Sequence, residues 1–153
     1  MEKLLLNGIT GFTDDNHSPP HQVDGHLFKE LCYYFARDNH GKVNNVSPPQ
    51  YPANFFCAHV EMRDNHFYIL LNEVYPYLAF ASEVGFEGIA FTNSPAAVNE
   101  PFSSHYEIIG ADELNAPFHL ASLKSTDLNS AEVKQISFWS PETIGQILFN
   151  YWD

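Results

Sequence analysis

Alternation between apolar and polar residues is strongest in the middle of the chain, in the segments FFCAHVEM (55–62) and FYILLNE (67–73). Successive side chains of a β-strand point to opposite faces, so a period of two indicates strands with two distinct faces. The connecting residues RDNH include Asp64 and Asn65, which both tolerate the positive φ angles of a tight turn. The pattern therefore predicts a β-hairpin.

The register predicted for this hairpin pairs Met62 with Phe67 and Val60 with Ile69. Because alternate residues share a face, one face is almost wholly apolar and is expected to meet the core. On the first strand this face consists of Phe56, Ala58, Val60 and Met62. The opposite face is mixed and consists of Cys57, His59, Glu61, Tyr68, Leu70 and Asn72.

Residues 26–37 show instead the spacing of an amphipathic helix. Leu27, Leu31 and Phe35 recur at helical intervals, and charged residues occupy the other side. Asp24 precedes the segment as a plausible N-cap. The following DNHG ends the helix, because its glycine can adopt a left-handed conformation.

The segment 141–152 is predicted to form a second helix, at the end of the chain. Ser140 suits the N-cap and Pro141 the first helical position. The apolar residues cover roughly 200° of a helical wheel, which is more than one face of a surface helix needs. The helix is therefore expected to be nearly buried, with an additional partner contact as the alternative.

Shorter runs complete the pattern. Residues 41–54 are rich in proline and asparagine and predict a loop. Further strands are predicted at 4–6, 77–81, 87–91 and 132–139, and residues 105–115 are predicted as a strand that enters a turn. Strands clustered between helices predict an α+β fold, in which both helices pack on the apolar face of a mostly antiparallel sheet. All 153 residues are expected to form a single domain.

Charge is unevenly distributed along the chain. The 19 acidic residues outnumber the 7 lysines and arginines, which gives a net charge of −12 with neutral histidines. Between Arg63 and Lys124 there is no lysine or arginine, and the acids of this stretch carry 8 of the 12 net negative charges. Such a field repels nucleic acid and anionic membranes and attracts basic proteins. Simple solubility is the alternative interpretation.

The leading hypothesis is therefore a small acidic binding protein rather than an enzyme. An inhibitor or immunity-type protein that blocks a basic partner, such as a nuclease toxin, fits this charge. The candidate partner-binding residues are Glu83, Glu87, Glu100, Glu107, Asp112 and Glu113, with Tyr75, Tyr77 and Tyr106 as exposed aromatic anchors. A structural subunit that assembles through its C-terminal helix is an alternative.

A small enzyme is another hypothesis, because Cys57, His59 and Glu61 alternate along one strand face. His-x-Glu begins the zinc-deaminase pattern, but no cysteine follows Glu61, so the required Cys-x-x-Cys is absent. A nucleophilic thiol–imidazole pair needs closer contact than the roughly 6.6 Å between neighbours on one strand face. An ordinary half-buried face is the simpler interpretation.

A metal-dependent binding module is the remaining hypothesis. His17, His21 and His26 lie close together in the sequence, and nearby aspartates offer a further ligand. Their spacing matches no recognised metal motif, so a polar loop is the simpler interpretation, and no metal or cofactor is predicted. With no apolar run long enough for a signal peptide or a membrane span, a cytoplasmic location is expected, with Cys32 and Cys57 as reduced thiols.

Overall fold

The computed structural model describes residues 2–16 and 22–153. Within them, one sheet consists of Lys42–Ser47 (β1), Phe55–Met62 (β2), Asn65–Asn72 (β3), Tyr77–Gly85 (β4), Gly88–Thr92 (β5) and Glu107–Ile108 (β6). Strands β1 to β5 are antiparallel neighbours in chain order, and β6 pairs in parallel with the start of β4. The predicted α+β fold with a mostly antiparallel sheet is confirmed.

Helices accompany the sheet at both ends of the chain. The α-helices of the described residues are Gly25–Asp38 (α1), Phe102–His105 (α2), Ala111–Leu114 (α3), Ser130–Trp139 (α4) and Ile144–Leu148 (α5). Short 3-10 helices cover Glu2–Leu4 and Leu120–Ser125. None of the helices in the described part of the chain combines the length and the apolar character needed to cross a bilayer.

The central hairpin forms between β2 and β3, but its register differs from the predicted one by two residues. Val60 pairs with Phe67 instead of Ile69. The turn consists of Arg63 and Asp64 alone, with φ angles of 49° and 69°, so pairing resumes at Asn65, two residues earlier than predicted. Two positive φ angles match the twist of the flanking strands in a two-residue turn. Because the slip is two residues, every side chain remains on its predicted face.

Helix α1 is one residue longer at each end than the predicted 26–37. The Asp24 carboxylate caps it by accepting hydrogen bonds from two backbone amides of the first turn, at 3.0 and 3.2 Å. At the other end, the left-handed residue is His40, with a φ angle of 59°, rather than Gly41. Glycine is needed at position 41 for a different reason, since a Cβ there would lie 2.6 Å from the carbonyl oxygen of Glu61.

Four segments were predicted wrongly or only in part. Of residues 105–115, only Glu107–Ile108 form a strand, and Ala111–Leu114 form helix α3. Residues 132–139 form most of helix α4 instead of a strand, because Asn129 and Glu132 form a capping box that starts a helix. A 3-10 helix covers the start of the 4–6 segment, where an edge strand was predicted. Conversely, β1 lies within the predicted loop 41–54, at the edge of the sheet, where strands tolerate nearby prolines.

The C-terminal segment contains a much shorter helix than the predicted 141–152. Helix α5 begins after Thr143, whose side chain caps it, and not after Ser140. Ser140 takes a left-handed conformation, with a φ angle of 51°, and ends helix α4. The apolar residues of the segment are nevertheless buried as expected, and they are Ile144, Ile147, Leu148, Phe149 and Trp152.

The two faces of the sheet carry separate apolar clusters. In the α1 cluster, helix α1 covers one face, and residues such as Phe35 and Ile69 are fully buried there. In the C-terminal cluster, Leu70 and Ile147 lie on the opposite face, together with the N-terminal turns. The prediction that both helices pack on one face is therefore wrong. Both faces of β3 and β4 are apolar, so each face requires a cover.

Candidate functional site

The β4–β5 hairpin projects between two concave surfaces. Its turn residues, Phe86 and Glu87, lie between two glycines, and Gly88 has a φ angle of +154° that other residues rarely adopt. The aromatic cleft, of about 520 Å³, lies between this hairpin and the C-terminal segment. The flank cleft, of about 770 Å³, lies along the hairpin itself, from Glu83 to Ala90. Both volumes suit a small ligand or the side chain of a partner.

Aromatic rings dominate the walls of the aromatic cleft. Trp139 and Trp152 stand with parallel planes, 4° apart, and with ring centroids 6.5 Å apart. Phe86 contacts Tyr151 at a centroid distance of 4.5 Å, although 80% of its surface is exposed. Both tryptophans of the chain line this cleft. The cleft thus combines a concave surface with more than one exposed aromatic ring, which makes it a candidate binding site.

The charged groups of both clefts are carboxylates. Glu87 and Glu142 line the aromatic cleft, whereas Glu83 and Glu87 line the flank cleft. Among the residues that the structure describes, no lysine or arginine lines either cleft. Concave surfaces with one sign of charge concentrate ligands of the opposite sign, so both clefts favour cations.

Local sequence fixes the C-terminal wall of the aromatic cleft. Thr143 and Gln146 form a capping box, in which the Thr143 hydroxyl accepts from the Gln146 amide at 3.3 Å. Gly145 allows this wall to approach β5 closely, because a Cβ there would lie 2.5 Å from the Phe91 ring and 2.9 Å from the Leu114 carbonyl oxygen. The wall is therefore held against the sheet, and its aromatic residues are presented at fixed positions.

Of the predicted acidic residues, Glu83 and Glu87 line the same cleft. Glu107 pairs beside Tyr77, six residues before Glu83, which separates Glu107 from Glu83 by about 20 Å along β4. Asp112 and Glu113 lie on α3, while Glu100 precedes α2. The hydroxyls of Ser103 and Ser104 donate to the Glu100 carboxylate and lower its pKa. Glu100 is thus hydrogen-bonded to side chains of α2 and does not line either cleft.

The three tyrosines expected as exposed anchors are not exposed. Tyr77 is 8% exposed and belongs to the C-terminal cluster, and Tyr75 is half-buried, with its hydroxyl donating to the carbonyl oxygen of Asn7. Tyr106 is also half-buried, and its hydroxyl has no hydrogen-bond partner among the described residues. Burial raises the pKa of Tyr106 to about 12. The exposed aromatic residues are others, and among them Phe86 and Trp139 line the aromatic cleft, whereas Tyr33, Tyr34, Tyr51 and Phe138 do not.

The Cys57–His59–Glu61 row does not form a nucleophilic site. The His59 ring stacks on Tyr68, and its Nε2 lies 3.2 Å from Nδ1 of His66. His66 in turn contacts the Glu61 carboxylate at 3.0 Å. Cys57 packs against the C-terminal cluster, where burial raises the pKa of its thiol to about 12. The thiol is therefore protonated near neutral pH, which is the unreactive form.

This geometry predicts slow alkylation of Cys57 in the folded protein. At pH 8, a maleimide or iodoacetamide reagent is expected to modify Cys57 at least tenfold more slowly than a free thiol, because the thiolate is scarce and the sulfur is covered. Mass spectrometry of timed samples measures the rate, and the same protein in urea serves as the control. Rapid modification of the folded protein would show an accessible thiolate and revive the enzyme hypothesis.

The predicted histidine cluster falls mostly outside the described residues, because His17 and His21 lie in the 17–21 gap. His26 is exposed at the start of α1. Among the described residues, no group of three histidine, cysteine or carboxylate side chains is arranged to hold a metal ion.

Comparisons of the chain with protein-family models, with curated protein sequences and with solved structures give no match.

Sequence reasoning missed the aromatic cleft. Its residues are far apart in the chain, since Phe86 meets Tyr151 only when the sheet and the C-terminal segment are assembled. Trp139 was assigned to a predicted strand and Trp152 to a separate helical arc, whereas the turn at Ser140 brings the two rings together. The available signal was the glycine-flanked Phe-Glu pair at 86–87, an apolar residue in a turn that normally favours polar ones.

Proposed function

We propose that this protein binds a basic protein partner through the β4–β5 hairpin, as an inhibitor of the immunity type. The observation that carries the proposal is the placement of Glu83 and Glu87 on a projecting hairpin between two clefts. The described residues that line these clefts include no lysine or arginine. A basic nuclease toxin is the class of partner that this charge suits best, because carboxylates on a projecting element mimic the phosphates that such a cleft binds.

The distribution of lysine and arginine residues supports binding through the β4–β5 hairpin. Lys42 lies on β1, Arg37 on the adjacent helix α1 and Arg63 in the β2–β3 turn, whereas the hairpin glutamates lie by β5. Strands β1 and β5 are at opposite edges of the five-stranded meander. The β1 side therefore carries cations beside acids such as Asp38 and Glu61, whereas the charged residues of the β4–β5 hairpin are Glu83 and Glu87 alone, and the sheet is polarised in this respect. Such polarity orients a basic partner toward the β5 edge during encounter.

Aromatic side chains at the hairpin can add binding energy to the contact beyond that of the ion pairs. Exposed ion pairs alone contribute about 0–1 kcal/mol, which does not hold a partner tightly. Buried aromatic side chains carry much of the binding energy in protein interfaces. Phe86 and Trp139 are exposed in the free protein and adjoin the hairpin carboxylates, so one surface offers both steering and anchoring.

Neutralising the hairpin is expected to weaken binding selectively. The double variant Glu83→Gln/Glu87→Gln and the matched double variant Glu30→Gln/Asp38→Asn, on exposed positions of α1, change the net charge equally. The wild-type protein and each variant are immobilised and used to capture proteins from the source cell at low and high salt. The association rate of a captured basic protein is then measured by surface plasmon resonance. We expect the hairpin variant to bind about tenfold more weakly and the helix variant to bind as wild type.

Two results would contradict the proposal. If no basic protein were recovered at either salt concentration, the proposed binding of a basic partner would be wrong. Equal loss of binding in the two double variants would show that net charge acts, and not the hairpin. A steep fall of the association rate with added salt in the wild type, reduced in the hairpin variant, is the result that supports it.

The proposal includes a cytoplasmic location. Cys32 and Cys57 are both free thiols, which suits a reducing compartment. The net charge of −12 disfavours nucleic acid and anionic membranes as partners, so neither is proposed.

A further inference from the structure

The aromatic cleft differs from the flank cleft in having open ring faces on more than one wall. Phe86 is 80% exposed on the hairpin, and Trp139 is 39% exposed at the end of α4. Two carboxylates, Glu87 and Glu142, line the same cleft. A group that binds in this cleft therefore contacts both aromatic rings and carboxylates, and its chemistry must suit both.

We propose that the aromatic cleft receives an arginine side chain of the partner, an inference that rests on the proposed function. A guanidinium group is planar, so it stacks on the faces of aromatic rings. Its N–H groups form a rigid fork that donates two parallel hydrogen bonds to one carboxylate. Stacking on Phe86 or Trp139 while donating to Glu87 or Glu142 uses both kinds of wall at once. Lysine offers the charge without the plane or the fork.

Other occupants fit the cleft less well. An anionic group meets two carboxylates without a described lysine or arginine to balance them. An apolar side chain would remove Glu87 and Glu142 from water and give no hydrogen bond in return, which is costly. A second copy of this chain would bring another net charge of −12 to the same surface. Charge complementarity thus selects a cationic side chain from a different protein.

Tryptophan emission tests the inference directly, because both tryptophans of the chain lie in the cleft. The folded protein is titrated with an acetylated, amidated glycine–arginine hexapeptide. Matched peptides carry lysine or citrulline, which is a neutral isostere of arginine, in place of each arginine. We expect a saturable change in emission with the arginine peptide, an apparent affinity at least threefold weaker with the lysine peptide, and no change with the citrulline peptide.

Two exposed aromatic residues provide a matched pair of variants. Phe86 lines the cleft, whereas Tyr33 is 51% exposed on α1, which covers the other face of the sheet, and does not line it. Phe86→Ala is expected to weaken binding of the arginine peptide about three- to tenfold, and Tyr33→Ala is expected to leave the affinity unchanged. Glu142→Gln is expected to weaken binding as well. Equal responses to the arginine and citrulline peptides, or equal losses in the Phe86→Ala and Tyr33→Ala variants, would overturn the inference.

The same variants separate this inference from the proposed function. If Glu83→Gln/Glu87→Gln loses the basic partner while Phe86→Ala and Glu142→Gln retain it, the partner binds the hairpin without the cleft, and only the inference fails. If the arginine peptide saturates the cleft but no basic partner is found, the proposed function fails and the arginine site remains. Loss of the partner in Phe86→Ala, with binding retained in Tyr33→Ala, supports both.

Discussion

Replacing Glu132 by alanine is expected to lower the free energy of unfolding by about 3–5 kcal/mol. Glu132 is fully buried, and its carboxylate accepts hydrogen bonds from the backbone amides of Gly8, Thr10 and Asn129, at 2.7, 2.8 and 3.2 Å. The Thr10 hydroxyl also donates to it. Alanine leaves these donors without an acceptor in a region that water does not reach, and each lost bond to a charged group is costly.

Urea denaturation followed by circular dichroism measures this loss. The matched control is Glu30→Ala, on the exposed side of α1, for which a change within about 0.5 kcal/mol is expected. Glu132→Gln retains one acceptor oxygen and is expected to fall between wild type and Glu132→Ala. If Glu132→Ala unfolded at the same urea concentration as Glu30→Ala, the carboxylate would not hold residues 8–10 against helix α4.

Replacing Asn72 by alanine is expected to lower the free energy of unfolding by about 2–3 kcal/mol. The Asn72 side chain is fully buried, and its oxygen accepts from the backbone amides of Val74 and Tyr75 at 2.9 and 3.0 Å. Its amide group donates to the carbonyl oxygens of Ile9 and Leu148 at 3.0 and 2.7 Å. The carbonyl groups keep a second donor after the substitution, but the two backbone amides lose their acceptor.

The second donor to both carbonyl groups is the side chain of Asn54, at 3.1 Å in each case. Asn54→Ala combined with Asn72→Ala is therefore expected to lose more stability than the sum of the single variants, because only the double variant leaves the carbonyls of Ile9 and Leu148 unpaired. Asn44→Ala, at an exposed position of β1, is the control. Strict additivity in urea denaturation would show that the two asparagines do not share these acceptors.

Much of the fold could be predicted because its signals are local. The faces of the β2–β3 hairpin follow from a period of two and survive the slip in register, since Val60 keeps its face whether it pairs with Phe67 or Ile69. The N-cap of α1 follows from Asp24 alone. Residues 132–139 were assigned wrongly because their alternation is weak evidence beside the capping box of Asn129.

The candidate site could be predicted only in part. Glu83 and Glu87 were proposed from charge and line one cleft, whereas Glu107 and Asp112 lie elsewhere in the fold, and the binding role of all four stays a prediction. The aromatic cleft depends on contacts between distant residues, such as Trp139 with Trp152 across the turn at Ser140. Helix propensity and periodicity describe neighbours in the chain, so they carry no information on which distant rings will meet.

The two apolar clusters on opposite faces of the sheet have a consequence for how the molecule unfolds. Strands β3 and β4 form the floor of both, with Ile69 in one cluster and the adjacent Leu70 in the other. Detachment of either cover would expose one side of backbone whose hydrogen bonds also support the other side. Local opening of one half is therefore opposed by the packing of the other half. The slowest amide hydrogen exchange is expected in these shared strands, because their amides reach solvent only when the whole protein unfolds.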